Sequence, residues 1–209
     1  GDRATWIAAV RQDGRLSEPD VFRALSGGDV LVSPESPSGV NLRGGSSDQV
    51  AYLLDGIPVF SPYHSAGVFS AWNPDAIAGM HLWSSGSALT QTHSLAGIVA
   101  ATTRAPGTRT TSRGSLSTTQ ARVTLDGPLG TRGGGYLVSL RSGFAGDVSP
   151  KPEPAYLNGG TGDGLLKLEV PALGGRFRLL GYQGRNGLSA AARVGPASQA
   201  PGGKLRNAF

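Results

Sequence analysis

Three histidines, His64, His81 and His93, are the side chains best suited to ligating a metal or moving a proton near neutral pH. Their separations do not fall into metal-ligand spacing, so no metal centre is expected. The chain has no Cys, which removes thiolate metal sites, disulfides and Cys nucleophiles together. Residues Gly159-Gly-Thr-Gly-Asp-Gly164 are Gly-rich but lack the Gly-Lys-Ser/Thr ending and following helix of a phosphate loop. No Ser elbow and no close pair of carboxylates stands out, so nucleophile, base and orienting group cannot be assembled from spacing. Neither catalytic residues nor a cofactor is expected, and the chemistry left is recognition.

The charged pair that remains conspicuous is Arg43 and Asp55, set among Gly44, Gly45, Gly56 and Pro58. The glycines permit backbone turns that a side chain would hinder. Arg43 and Asp55 could pair with one another, pair with charges elsewhere, or satisfy nearby backbone groups.

The elements that position these residues come from a turn-rich, lightly charged chain. In 209 residues there are 33 Gly and 14 Pro, with 16% charged and 7% aromatic residues, which favours strands over helices. Net charge is +5, but Arg is dispersed and is not interleaved with aromatics, so no nucleic-acid partner is expected. No run approaches the roughly 18 apolar residues of a membrane helix, and Gly1–Val10 lacks the features of a signal peptide.

Glu18–Leu25 reads as a short helix with acidic residues in its first turn. Val50–Leu54 and Ile57–Phe60 flank Asp55-Gly56, a turn dipeptide, and read as a hairpin. Asn73–Ala78 reads as a helical turn with Pro74 at its first position. Met80–Trp83 and Gly97–Thr103 read as strands, completing a small α+β domain that ends near Ala105-Pro-Gly107.

Beyond Gly107 the period becomes two. Ala121, Val123 and Leu125 alternate with Gln120, Arg122 and Thr124, and Tyr136, Val138 and Leu140 alternate with Ser139 and Arg141. Leu166, Leu168 and Val170 alternate with Lys167 and Glu169, and Phe177 and Leu179 with Arg176 and Arg178. One face is apolar and the other charged, a pattern common to a soluble sandwich and to a membrane barrel with a polar lumen. Tight links at Asp126–Gly130 and Pro171–Gly175 alternate with long ones at Ala145–Gly160 and Gly187–Gly203, as the short and long loops of membrane barrels do. Thr110–Leu125 is too long for one strand of about 9–11 residues, so it divides near Ser117–Gln120.

The run Val40-Asn-Leu-Arg-Gly-Gly-Ser-Ser-Asp-Gln-Val-Ala-Tyr-Leu-Leu-Asp-Gly-Ile-Pro-Val59 resembles the plug signature of TonB-dependent outer-membrane receptors. In that signature an Arg-Gly step leads through a strand into Leu-Asp-Gly-apolar-Pro-apolar. The resemblance extends over roughly residues 18–186, through Asn73-Pro-Asp-Ala-Ile77, Trp83, Gly86 and Gly97–Arg104, to Ala121–Gly130, which looks like an early barrel strand and first periplasmic turn. Where the family has an aromatic-Gly pair before its last plug strand, this chain has Gln91-Thr92-His93.

The resemblance implies an α+β plug domain over residues 1–107, followed over 108–209 by antiparallel β-strands of a transmembrane β-barrel, incomplete in this chain. It implies a plug motif of Arg43, Gly44, Gly45, Asp55, Gly56 and Pro58 that gates the barrel. Tyr63 and His64, in Ser61–Gly67, and His93 become ligand-facing candidates, the alternative being an ordinary surface loop with His64 solvated. Arg122, Arg141, Lys167, Glu169, Arg176 and Arg178 become lumen residues facing plug or substrate.

A protein of this kind takes up a scarce ligand, an iron chelate, vitamin, oligosaccharide or peptide. Its partners would be the TonB energy-transducing complex, outer-membrane lipid and the small ligand, in the cell outer membrane. No TonB box is recognisable, and only about five or six strands are legible against the 22 of plugged transporters, so the chain is expected to be a fragment or a truncated product. The alternative is a β-rich ligand-binding protein, soluble or surface-exposed, with a plug-like domain and a closed sandwich. The discriminator is what covers the apolar face of Val123, Leu140 and Leu168.

Overall fold

The computed structural model describes residues 3–6, 20–22, 25, 30–32, 40–42, 44–60, 62–64, 69–83, 94–118, 120–143, 155–158, 160–192 and 203–208. Their first part contains β1 (Arg3–Trp6), β2 (Val30–Val32), β3 (Val40–Leu42), β4 (Val50–Leu54), β5 (Ile57–Pro58), β6 (Tyr63–His64), β7 (Phe69–Ser70), β8 (Ile77–Trp83) and β9 (Gly97–Thr103). Five of these form a mixed sheet in the order β1-β8-β9-β4-β5, in which β4 and β9 are parallel. Strands β2 and β3, and β6 and β7, make two separate two-stranded sheets.

The hairpin expected at Asp55-Gly56 is present, with Leu54 paired to Ile57. Both turn residues have positive φ, 48° and 86°, which suits the two-residue turn whose twist matches its strands. Half of the helix expected over 18–25 lies outside the described residues; of the rest, residues 21 and 22 form a turn and Leu25 is in 3-10 geometry. The helical turn expected at Asn73–Ala78 is instead a tight turn. Asn73 Oδ1 accepts the Asp75 N–H at 3.0 Å, Ala76 N donates to Asn73 O, and Ile77 enters β8 directly. An Asn side chain that captures a backbone N–H two residues on competes with helix and wins here. Among the described residues, 3-10 geometry occurs at Ser47–Gln49 and at Leu25, whose N–H donates to Phe22 O.

The second part contains β10 (Thr111–Leu116), β11 (Gln120–Leu129), β12 (Gly134–Gly143), β13 (Ala155–Asn158), β14 (Thr161–Ala172), β15 (Gly175–Ala192) and β16 (Gly203–Ala208). They form one antiparallel sheet, ordered β10-β11-β12-β14-β15-β13 with β16 also on β15. The split between β10 and β11 falls at 117–119, where sequence reading placed it. The link expected at Asp126–Gly130 does not: β11 runs on to Leu129, and the turn is Gly130–Gly133, whose glycines take φ of 68° and 79°. Likewise Gly187–Ala192, expected in a long link, continues β15.

Each long strand shows two faces. Thr124, Asp126, Leu137, Ser139, Arg141, Asp163, Leu165, Lys167, Glu169 and Tyr182 are buried against the first part of the chain. Val123, Leu125, Leu140, Leu166, Phe177 and Leu179 point the other way and stay exposed, 54% for Leu140 against 0% for Leu137 in the same strand. The sheet therefore lays a largely polar face on the mixed-sheet domain and turns an apolar face outward. One apolar core spans both, from Phe22, Leu54, Trp72, Ile77 and Val99 to Leu137, Leu165 and Tyr182.

Candidate functional site: the polar seam between the two sheets

Strand register arranges the buried face of the second sheet in rungs, because antiparallel partners directly opposite project to one side. The first rung is Arg122, Arg141 and Asp163. The second is Thr124, Ser139, Leu165 and Tyr182. The third is Asp126, Leu137, Lys167 and Leu180, and Glu169 stands beside Arg178 beyond it, toward the tight turns.

The first rung receives the segment 62–75. Arg122 Nε lies 3.0 Å from Asp75 Oδ2, and Arg141 Nε donates to Asp163 Oδ2 at 2.6 Å. The same Arg141 reaches across with Nη2 to Ser70 O at 2.6 Å, and His64 Nε2 lies 3.1 Å from Asp163 Oδ2. Two guanidinium groups directly opposite would repel, but Asp75 and Asp163 bring the formal charge of the four groups to zero.

The second rung is neutral. Asn73 Nδ2 donates to Ser139 Oγ at 2.7 Å, Thr124 Oγ1 donates to Ser139 Oγ at 3.0 Å, and the Tyr182 hydroxyl donates to Ala71 O at 3.1 Å. At the third rung charge returns, again crossed between the two parts of the chain. Lys167 Nζ lies 3.5 Å from Asp55 Oδ2 and donates to Thr103 Oγ1 at 2.8 Å. Asp55 in turn accepts the Thr103 N–H at 2.7 Å and its hydroxyl. Arg104 Nη2 donates to Asp126 Oδ1 at 3.1 Å. Asp126 also accepts from Gly107 N–H, the Thr111 hydroxyl and Arg113 Nη1. Glu169 closes the row, 3.5 Å from Lys167 Nζ and bonded by Arg176 and Arg178.

Buried ion pairs gain little net stability, because desolvation offsets their attraction, but a misplaced partner leaves a buried charge unpaired. Two charged rungs separated by a neutral one therefore fix how the first part of the chain sits on the second. Sliding it one rung toward the neutral row would set Asp55 and Arg104 against uncharged groups, and sliding it the other way would set Asp55 against Glu169.

The residues singled out from sequence fall in different places. Arg43 and His93 lie outside the described residues. Asp55 is engaged by Lys167 and also satisfies a backbone N–H, so two of the expected roles coexist. Gly44 has φ of 80°, and a Cβ on Gly45 would meet Ala96 Cβ at 2.7 Å, so one supplies a turn and the other a close approach. Gly56 completes the hairpin turn, and Pro58 is exposed on β5.

Tyr63 and His64 are not on an open loop. Tyr63 packs on Phe22 and Tyr52, donates its hydroxyl to Tyr52 and accepts the Val40 N–H at 2.9 Å. Burial raises the pKa of both phenols, that of Tyr52 to about 12. His64 is 3% exposed against Asp163. Asp75, Thr103, Asp126 and Asp163 are the seam residues that sequence reading did not single out. The one available signal was their company: Asp75 lies in the Asn73–Ile77 motif, and Asp126 shares a face with Arg122 at period two.

Residues 10–98 match the family model of the TonB-dependent Receptor Plug Domain. No curated protein matches the chain. A mutant of the ferric enterobactin receptor PfeA from Pseudomonas aeruginosa shares its fold over 91% of this chain and 33% of the receptor, with 17% identity and a TM-score of 0.58. The siderophore receptor PirA from Pseudomonas aeruginosa does so over 92% of this chain and 39% of its own, with 13% identity and a TM-score of 0.54. The chain thus spans about a third of the length of these receptors.

Proposed function

Because this chain carries a TonB-dependent receptor plug domain, we propose that it forms the plug and first barrel strands of an outer-membrane receptor importing a scarce ligand. Residues 1–107 are the plug and 108–209 contribute to the barrel wall. The observation that carries the reading is the orientation of the second sheet. Its charged face holds the plug through the rungs at Asp163 and Lys167, while its apolar face, Val123, Leu140, Leu166 and Phe177, has no covering sheet among the described residues. A sandwich would bury that face against a second sheet; a barrel wall gives it to lipid.

In this reading the ligand is an iron chelate, vitamin, oligosaccharide or peptide. The plug blocks the lumen at rest, and the TonB complex supplies the pull that separates the polar seam. The motif Arg43, Gly44, Gly45, Asp55, Gly56 and Pro58 shapes the gate, with Asp55 as its tie to the wall. Tyr63 and His64 act from inside the plug, holding the segment behind the ligand-facing surface, and His93 stays a ligand-facing candidate.

The test is to express the full reading frame in a Gram-negative host, fractionate the membranes, and compare heated and unheated samples on gels. A heat-modifiable band in the outer membrane is the expected result. A soluble product that folds without lipid would overturn the receptor reading.

A further inference from the structure

Asp75 gives Arg122 its only ion-pair partner among the described residues, and the two belong to opposite sides of the seam: Asp75 to the plug, Arg122 to β11 of the wall. Both side chains are nearly buried, 9% and 11% exposed. Across the strand pair Arg122 stands opposite Arg141, whose own carboxylate, Asp163, is also on the wall and stays with it when the plug moves. Separating plug from wall therefore removes one acid from a balanced set of four charges and leaves the wall with Arg122 uncompensated beside a second guanidinium.

We propose that Arg122, flanked by Arg141, is an anion-binding site on the lumen wall, which Asp75 occupies in the closed receptor as a stand-in for a carboxylate of the passing ligand. The chemistry is specific. A guanidinium presents parallel N–H donors to a planar carboxylate, and a cation flanked by a like charge in a confined lumen is costly until an anion arrives. Asp75 is held in place by its own backbone, through Asn73 Oδ1 on its N–H and Arg104 Nη1 on its carbonyl, which sets its Oδ2 3.0 Å from Arg122 Nε as an ion pair while leaving that N–H without an aligned hydrogen-bond acceptor. A ligand bearing carboxylates then exchanges with Asp75 one site at a time.

This inference rests on the transport reading, and the test separates the two. In the purified full-length receptor, Asp75→Ala lowers the unfolding temperature of the plug, and sodium acetate restores most of the loss where sodium chloride at equal ionic strength does not. The double variant Asp75→Ala/Arg122→Gln is not rescued. Absent rescue, or rescue that survives Arg122→Gln, overturns the site. Should Asp75→Ala not fold, Asp75→Asn keeps the volume, and acetate then raises its unfolding temperature only while Arg122 is present.

A second measurement uses the full-length receptor in a planar bilayer, opened by urea sufficient to loosen the plug. Arg122→Gln lowers the anion-to-cation permeability ratio by roughly twofold or more; an unchanged ratio in an open channel overturns the inference alone. A receptor that never opens overturns it together with the transport reading, even where acetate rescue succeeds.

Discussion

Lys167 of β14 stands 3.5 Å from Asp55 of the β4–β5 hairpin, and both also engage Thr103, the last residue of β9. Three elements far apart in sequence meet at this point, and the crossing of charge makes it a register mark. Replacing Lys167 by Met is expected to cost about 3–5 kcal/mol of stability, because it takes the cation from the Asp55 carboxylate, while Glu169 keeps Arg176 and Arg178. Adding Asp55→Asn, which keeps the positive φ tolerable, should recover part of that, with a coupling energy on the order of 0.5–3 kcal/mol. Urea unfolding of the two single variants and the double variant in the full-length protein gives the cycle; strictly additive losses would remove the register role.

Asp126 offers a different kind of tie. Its carboxylate accepts from Arg104, Gly107, Thr111 and Arg113, which brackets the passage from β9 to β10. Asp126→Ala is expected to remove the acceptor that two guanidinium groups, a hydroxyl and the Gly107 N–H share, at a cost of about 1–3 kcal/mol. Hydrogen exchange should localise the loss to residues 104–113 and spare the Asp55 hairpin. Uniform loss of protection across the plug would contradict a local tie.

The same residue explains where sequence reading failed. Asp126-Gly-Pro-Leu-Gly130 has turn chemistry, yet the four donors hold Asp126 as an inward strand position and pass the turn on to Gly130–Gly133. Asn73 misled in the same way, since its side chain captures Asp75 N–H and sends Ile77 into a strand. What was legible rests on local rules: the positive-φ turn at Asp55-Gly56, the β10/β11 split, and the two faces of the strands of the second sheet. His64 was not legible, because its partner Asp163 lies 99 residues away and the surrounding Ser61–Gly67 has the composition of a loop.

The tyrosine pair predicts an alkaline limit for the plug. Burial raises both phenol pKa values, Tyr52 from 10.0 to about 12, and Tyr63 further in the same direction. The neutral forms are thus favoured by the fold. In the unfolded chain these phenols ionise near pH 10, so the contribution is complete below pH 10 and is lost as pH rises toward about 12. Tyrosinate absorbance and circular dichroism recorded together should show delayed ionisation of these residues with plug unfolding in that window. Ionisation of all tyrosines near pH 10 with the fold intact would contradict the buried pair.

The outer face gives the prediction that separates lipid from water. Leu140 is 54% exposed on β12 and lies opposite Val123, at the apolar surface that no sheet covers among the described residues. In a soluble protein an exposed Leu exchanged for Arg changes stability by at most about 0.5 kcal/mol. In a barrel wall the guanidinium must enter hydrocarbon, at about 2–4 kcal/mol near the bilayer midplane and less toward its edges. Leu140→Arg in the full-length protein is therefore expected to impair folding into lipid vesicles, measured as loss of the heat-modifiable form, whereas Leu173→Arg, at the exposed turn between β14 and β15, is neutral. Equal tolerance of both substitutions would mean that the apolar face of this sheet meets water.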